Sequence, residues 1–242
     1  MENMKKIEDI KVMVANVSHL PYTTIINDTI DAASKERGTG IARRSDEYIS
    51  KKILEGKAII ALEGELFAGF CYIESWGHNR FVANSGLIVV KDYRGVGLAR
   101  EIKKKAFELS RTRYPEAKIF GLTTGLAVMK INHELGYRPV TFSELTDDQD
   151  FWKGCQSCVN YDILQRTNRS KCLCTGMLFD PAWEKQKVTV AAEARPKKIS
   201  LLEMIGKLKP KNHSNGKDSG IKMFKKIKEN ISDDTVQRTF QD

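Results

Sequence analysis

The sequence predicts an α/β (α+β) domain with a mixed central sheet flanked by helices. Short apolar runs that read as strands alternate with segments of helical periodicity over most of the 242 residues,. Two adjacent strand-like runs in the front half are joined by a tight Glu63-Gly64-Glu65 turn, which calls for antiparallel pairing. The back half passes from strand to helix to strand, the rhythm of crossover connections. Together these give a hairpin-rich front and a crossover-rich back.

The elements follow in order. Ile7 to Val17 has partial alternation and reads as a first strand. Ser18 is placed to cap the next helix, with Pro21 early in it and Ile25, Ile26, Thr29, Ile30 and Ala33 on its buried face. Ser45 to Leu54 reads as a second helix, with Asp46 and Glu47 in its first turn and Gly56 past its end. Ala58–Leu62 and Leu66–Glu74 form the hairpin, and Asn84–Val90 is the next strand. A helix then runs to about Arg113, with Ala99, Ile102, Ala106 and Leu109 as its apolar stripe. Pro115 resets the chain. Ile119–Thr124 is a strand, Leu126–Leu135 a helix stopped by Gly136, and Tyr137–Phe142 a strand. A cysteine-rich insertion at 147–175 reads as a hairpin, followed by a last strand, Leu173–Phe179. Cys71 and Tyr137 read as core residues.

This folded part spans residues 1–184; residues 185–242 read as a basic, flexible tail. Of the net charge of +9, the tail carries 14 Lys and Arg against 7 Asp and Glu. The basicity therefore belongs to the tail. Within it, ISLLEMIGKL and GIKMFKKIKENI have the spacing of short amphipathic helices, and the polar stretch between them is too hydrophilic to bury. Aromatic residues for stacking on bases are sparse there, so nucleic acid is not the expected partner. With 41% apolar residues the chain can build a core of ordinary size. No stretch approaches the ~20 apolar residues of a membrane span. The N-terminal MENMKKIEDI lacks a hydrophobic signal core, which predicts a cytoplasmic protein. The five cysteines then read as thiols or metal ligands, not as a disulfide frame.

The stretch VKDYRGVGLAREI, Val90 to Ile102, carries the chemistry. A helix start offers N–H groups without partners and the positive end of the peptide dipoles. Gly95 and Gly97 let the backbone approach phosphate oxygens and accept positive φ. Arg94 adds a charge. The stretch reads as a seat for a pyrophosphate, held on the main chain of Arg94, Gly95, Val96, Gly97, Leu98 and Ala99.

Strand, Arg94-x-x-Gly97-x-Ala99, helix, strand, helix and then Gly136-Tyr137 resembles the GNAT superfamily of acyl-CoA-dependent N-acyltransferases, over roughly residues 5–145. Their phosphate motif is Q/R-x-x-G-x-G/A. The resemblance implies acetyl-CoA, or another acyl-CoA, in a cleft where the strand ending at Val90 splays from the one ending at Thr124. Its pantetheine would run beside Leu87, Ile88, Val89 and Val90, where one N–H polarises the thioester carbonyl. Such a donor is worth ~3 kcal/mol in acyl transfer.

At the acid and base the sequence departs from the family. Many members carry a tyrosine four residues before the glycine of the LGY-like ending, as proton donor to the thiolate. Here that position is Asn132, which can hydrogen-bond the sulfur or pantetheine but cannot act as an acid. Where some members place a glutamate, this chain offers Asn84 and Ser85. Glu74, His78 and His133 remain as candidate bases, Glu74 foremost; each also reads as an ordinary surface group.

Cys155-x-x-Cys158 and Cys172-x-Cys174 match the count of a closed tetrahedral zinc site. Reduced thiols in a half-buried hairpin, or a redox-active dithiol, are the alternatives. The zinc reading rests on the low apolar content of the insertion, which would leave it unable to order itself without metal. The segment from Lys153 to Pro181 also resembles a subgroup of these acyltransferases found beside arginine-biosynthesis genes in some bacteria. This implies the α-amine of glutamate as acceptor, with Arg80, Arg43 or Arg44 meeting its carboxylates. The expected function is acyl transfer from acyl-CoA to a small-molecule amine. The alternatives are a protein or peptide amine as acceptor, or a non-catalytic acyl-CoA-dependent module for an anionic partner.

Overall fold

The structure, a computed structural model, describes residues 6–37 and 44–184; the expectations for residues 185–242 and for Arg43 fall outside the described residues. A seven-stranded mixed sheet forms the frame, in the order β1-β2-β3-β4-β5-β7-β6. Strands β1 (Ile10–Val14), β2 (Ala58–Glu63), β3 (Leu66–Trp76) and β4 (Phe81–Val89) form an antiparallel meander. Strand β5 (Lys118–Thr123) joins β4 in parallel; β7 (Thr175–Phe179) pairs antiparallel with both β5 and the short β6 (Arg138–Val140).

Two helices cover one face. Helix α1 (Thr23–Arg37) and α2 (Asp46–Leu54) bury Ile26, Ile30, Ile49 and Ile53 against Ile60, Phe70, Tyr72 and Ile88. Helix α3 (Leu98–Arg113) packs Leu98, Ile102 and Ala106 on the other face, against Ile59, Cys71, Val89, Ile119 and Tyr137. Helix α4 (Leu126–Glu134) follows β5 and ends at Gly136, whose φ of +88° makes the left-handed stop that its sequence position suggests,.

Several local expectations change. Asn16, not Ser18, caps the chain after β1, and it caps a 3₁₀ turn over Val17–Tyr22 that contains Pro21. The first strand is therefore shorter at both ends than its alternation suggests. On α1, Ile25 is exposed and Thr29 only half-buried, because the buried stripe runs through Ile26, Ile30 and Ala33. The cysteine-rich insertion is helical, with α5 (Gln149–Lys153) and α6 (Tyr161–Arg166), and contains no hairpin strand. Its order comes from aromatic burial. Trp152 is 6% exposed and donates its indole N–H to the Thr146 carbonyl at 2.8 Å. Phe151 lies edge-on to Phe120 with ring centroids 4.9 Å apart, and Leu164 is buried in the same cluster. A few large apolar side chains give this segment a buried contact with the sheet that its low average apolar content does not suggest,.

Candidate active site

Strands β4 and β5 pair only at Phe81–Lys118, Val82–Ile119 and Ala83–Phe120. Beyond these pairs the strands part, so from Asn84 onward the outer edge of β4 has no strand partner among the described residues. A bulge deepens the departure: between the pairs Phe70–Ile88 and Tyr72–Ser85, β4 carries one residue more than β3,. Gly86 occupies it with φ +68°, and a Cβ there would lie 2.7 Å from the Tyr72 ring. Only glycine lets the bulge and the tyrosine coexist. An unpaired edge of this kind accepts an extended ligand by strand-like hydrogen bonding.

A cavity of about 430 Å³ opens at this gap. Tyr72 lines it from the α2 face of the sheet and Lys103 from the α3 face, so the cavity passes through the sheet. The remaining wall comes from Arg44, Ala83–Leu87, Phe120–Val128, Asn132, Phe142 and the insertion. Among the described lining residues, Arg44 and Lys103 are the charged ones, and there is no carboxylate or histidine.

Past the end of β4, the chain turns into α3 through Gly95 (φ +87°) and Gly97 (φ +88°), with open space where a side chain on either would go. No side chain caps this helix start, and its first turn is closed by Arg100 and Glu101 N–H donating to the Gly97 carbonyl. Main-chain donors ahead of them are left for a ligand. Arg94 is partly committed elsewhere. Its Nε donates to the Val89 carbonyl at 3.2 Å, and its guanidinium pairs with Glu36 at 3.0 Å.

Arg44 lines the cavity beside Tyr72. Its Nε donates to the Tyr72 hydroxyl at 3.0 Å, and its guanidinium lies 5.4 Å from the Tyr48 ring centroid. Burial works against the charge of Arg44, but the two tyrosines more than offset it and raise its pKa. Tyr48 in turn donates to Glu74, whose other oxygen accepts from the Lys52 ammonium. Burial, then Tyr72 and Glu74, push the Tyr48 phenol up, so it stays a neutral donor.

The floor of the cavity is polar. Asn84 Oδ1 accepts from Tyr137 OH at 3.0 Å and from Lys103 Nζ at 3.3 Å, while Asn84 Nδ2 donates to Ser110 Oγ at 2.8 Å. Asn132 is 1% exposed, and its side-chain oxygen has no hydrogen-bond partner among the described residues.

Comparison with solved structures places this architecture. N-acetylglutamate synthase from Neisseria gonorrhoeae, complexed with coenzyme A and N-acetyl-glutamate, superposes with a TM-score of 0.51 at 16% identity, over 71% of this chain and 35% of that one. The fold is the GNAT fold. The match spans about a third of the synthase's length. A GNAT-family acetyltransferase from Staphylococcus aureus matches with a TM-score of 0.48 at 16% identity, over 57% of this chain and 90% of that one. A putative acetyltransferase from Salmonella typhimurium, with its cofactor acetyl-CoA, matches with a TM-score of 0.49 at 12% identity, over 71% and 94%. No protein-family model matches the sequence, and comparison with curated proteins returns no match.

On the GNAT frame the expected site residues separate into groups. Leu87 and Asn132 line the cavity; Ile88 and Val89 are buried in the same strand, and the loop from Arg94 to Ala99 lies beyond its end. Glu74, His78 and His133 do not line the cavity. Glu74 faces α2, held by Tyr48 and Lys52, and His78 and His133 are exposed. Arg80 is exposed in the β3–β4 turn, whereas Arg44 is in the wall.

Cys155, Cys158, Cys172 and Cys174 all line one end of the cavity. Burial, then the neighbouring thiols, push Cys155 up to about 11 and raise Cys174 as well, which keeps both protonated at neutral pH. No group of three or more metal-ligating side chains is assembled among the described residues, so the geometry gives zinc no support. Lys103 and Tyr72 are cavity residues that no motif in the sequence marks. The lysine was detectable: it follows Ile102 on the buried stripe of α3, where a charge is out of place. Tyr72 meets Arg44 across 28 residues of sequence, and no local pattern announces such a pair. No helix among the described residues is long and apolar enough to cross a membrane.

Proposed function

We propose that the chain transfers an acyl group from an acyl-coenzyme A to the primary amine of a small, carboxylate-bearing molecule, with the α-amine of glutamate as the leading acceptor. The observation that carries this reading is a cavity bounded by two cations, Arg44 and Lys103, and by no described anion. It lies against the unpaired edge of β4. In this reading the pantetheine arm runs along that edge, and the diphosphate rests on the N–H groups at the start of α3. A main-chain N–H near the Gly86 bulge polarises the thioester carbonyl as negative charge develops on it.

The two cations suit this chemistry twice over. Arg44 offers its fork to a carboxylate of the acceptor. Positive surroundings also disfavour the acceptor's ammonium form and so raise the fraction of neutral amine, which is the nucleophile. No side-chain base is therefore required in the wall. The helical insertion covers the acceptor end, which favours a small molecule over a protein chain.

The test is thiol release from acetyl-CoA, and then succinyl-CoA, against a panel of amino acids and neutral amines. Glutamate is expected to exceed a neutral amine of similar size by at least about tenfold in kcat/KM, as a charge-assisted contact of ~1.5–3 kcal/mol would give. Arg44→Gln is expected to erase most of that preference. Absence of coenzyme A binding by calorimetry would overturn the reading.

A further inference from the structure

We infer that Lys103 is the proton donor to the departing thiolate, supplying from α3 the acid that position 132 of α4 lacks. This rests on the proposed acyl transfer. The ammonium is placed at the apex of the gap, under the first residues after the last β4–β5 pair. It bonds Asn84 on one strand, and a side chain at Gly121 on the other would come within 3.8 Å of it. Lys103 is 2% exposed, yet it lines the cavity. Three N–H donors share one described acceptor, Asn84 Oδ1, plus the face of Tyr137 at 5.3 Å. A buried ammonium with no carboxylate partner is expensive to keep. An anion that forms in this gap during turnover, and at no other time, gives it a use.

The titratable groups packed around Lys103 are Cys71 from β3 and Tyr137 after α4; burial raises the pKa of both, so neither is charged at neutral pH. Burial pushes Lys103 down to about 8, and Cys71 opposes this only in part. A simple thiol titrates at ~8.5, so the proton passes between groups of nearly equal affinity, where general acid catalysis is efficient. In the step, the neutral amine of the acceptor forms the C–N bond and the C–S bond breaks. The electron pair stays on sulfur, and Lys103 Nζ–H transfers its proton there. Free coenzyme A thiol leaves, Lys103 is left as a neutral amine, and water reprotonates it; the proton shed by the new amide nitrogen goes to solvent.

The experiment compares the wild-type chain, Lys103→Met and Lys103→Arg with two acetyl donors: acetyl-CoA and an aryl thioester of acetate, whose more acidic thiol leaves without protonation. With acetyl-CoA, both variants are expected to lose about 10²-fold in kcat, with KM for acetyl-CoA little changed. Arginine keeps the charge but cannot give up the proton. The fall of kcat above pH about 8 in the wild type is expected to disappear in both variants. With the aryl thioester, variant and wild type are expected to agree within about threefold. Coenzyme A binding by calorimetry establishes that the variants are folded. Equal losses with both donors overturn the assignment, as does wild-type turnover by Lys103→Met. A loss confined to succinyl-CoA overturns it as well, and directs Lys103 to the far end of the acyl chain. If the wild type itself turns over no amine, the proposed activity falls, and this role with it.

Discussion

Lys103 is a buried cation whose charge is costly to the fold. Its ordinary pKa of 10.5 is lowered by burial to about 8. Below pH 8 the side chain is charged whether the chain is folded or not, and the folded state bears the whole desolvation penalty. Between pH 8 and 10.5 the unfolded chain holds a proton that the folded chain has released, so stability rises with pH. Above that window the penalty is gone. Its full size is roughly 3 kcal/mol. Lys103→Met is therefore expected to be more stable than the wild type by about 2–3 kcal/mol at pH 7, a gain that shrinks toward zero by pH 10.5. Thermal melts of both chains across this range check it, and a destabilised variant would mean that the ammonium is solvated. Glu74 shows the opposite case. It fixes Tyr48, which flanks Arg44, and it is the partner of Lys52, whose side chain is 3% exposed. Glu74→Ala strands that ammonium and is expected to lose ~3–5 kcal/mol of stability. Glu74→Gln keeps a hydrogen-bonding pair; its expected effect is a rise of severalfold in KM for the anionic acceptor with kcat nearly unchanged, read by steady-state kinetics.

Among the elements, the start of α3 is where the proposed cofactor binding meets the fold. Gly97 has φ +88° and open space beyond its Cα. Gly97→Ala therefore adds backbone strain of ~1–2 kcal/mol without a clash inside the protein. Its methyl group projects where the diphosphate is proposed to lie. Coenzyme A affinity is expected to fall at least about tenfold, beyond what the small loss of stability would explain; calorimetry and a thermal melt separate the two. This element was legible in the sequence because its determinants are local: two glycines, an apolar run before them and a 3.6-residue stripe after. The same locality made α2 readable, with Ser45 accepting from the Tyr48 N–H as its cap. Where determinants are not local, the sequence says less. Two Cys-x-x-Cys and Cys-x-Cys spacings suggested a hairpin, whereas the segment takes its shape from Trp152 and Phe151 docking on Phe120 and Phe142. Glu74 reads as a strand-end carboxylate, and nothing nearby in sequence marks Lys52 as its partner. Lys52 lies three residues after buried Ile49 and Lys103 three before buried Ala106, and that mismatch of charge and phase is the sign that marks both.

At the scale of the whole molecule, most of the excess charge and the proposed chemistry belong to different parts of the chain. Every described residue of the cavity wall lies between Arg44 and Cys174, and the strands that part to form it are β4 and β5. The tail from 185 carries most of the excess of Lys and Arg. If the acceptor is a small molecule, the tail contributes at most a long-range field. Such a field is screened beyond ~10 Å at 0.1 M salt and alters encounter rates more than the chemical step. A chain ending at residue 184 is then expected to keep kcat/KM for glutamate within about twofold of the full chain at 0.15 M salt, with a somewhat larger difference at low salt. If the acceptor were instead a protein that the basic tail recruits, truncation would lower kcat/KM steeply and chiefly through KM, and rising salt would mimic the truncation on the full chain. Steady-state kinetics of both chains at two ionic strengths separates these outcomes, because the tail either holds the acceptor or leaves that task to Arg44.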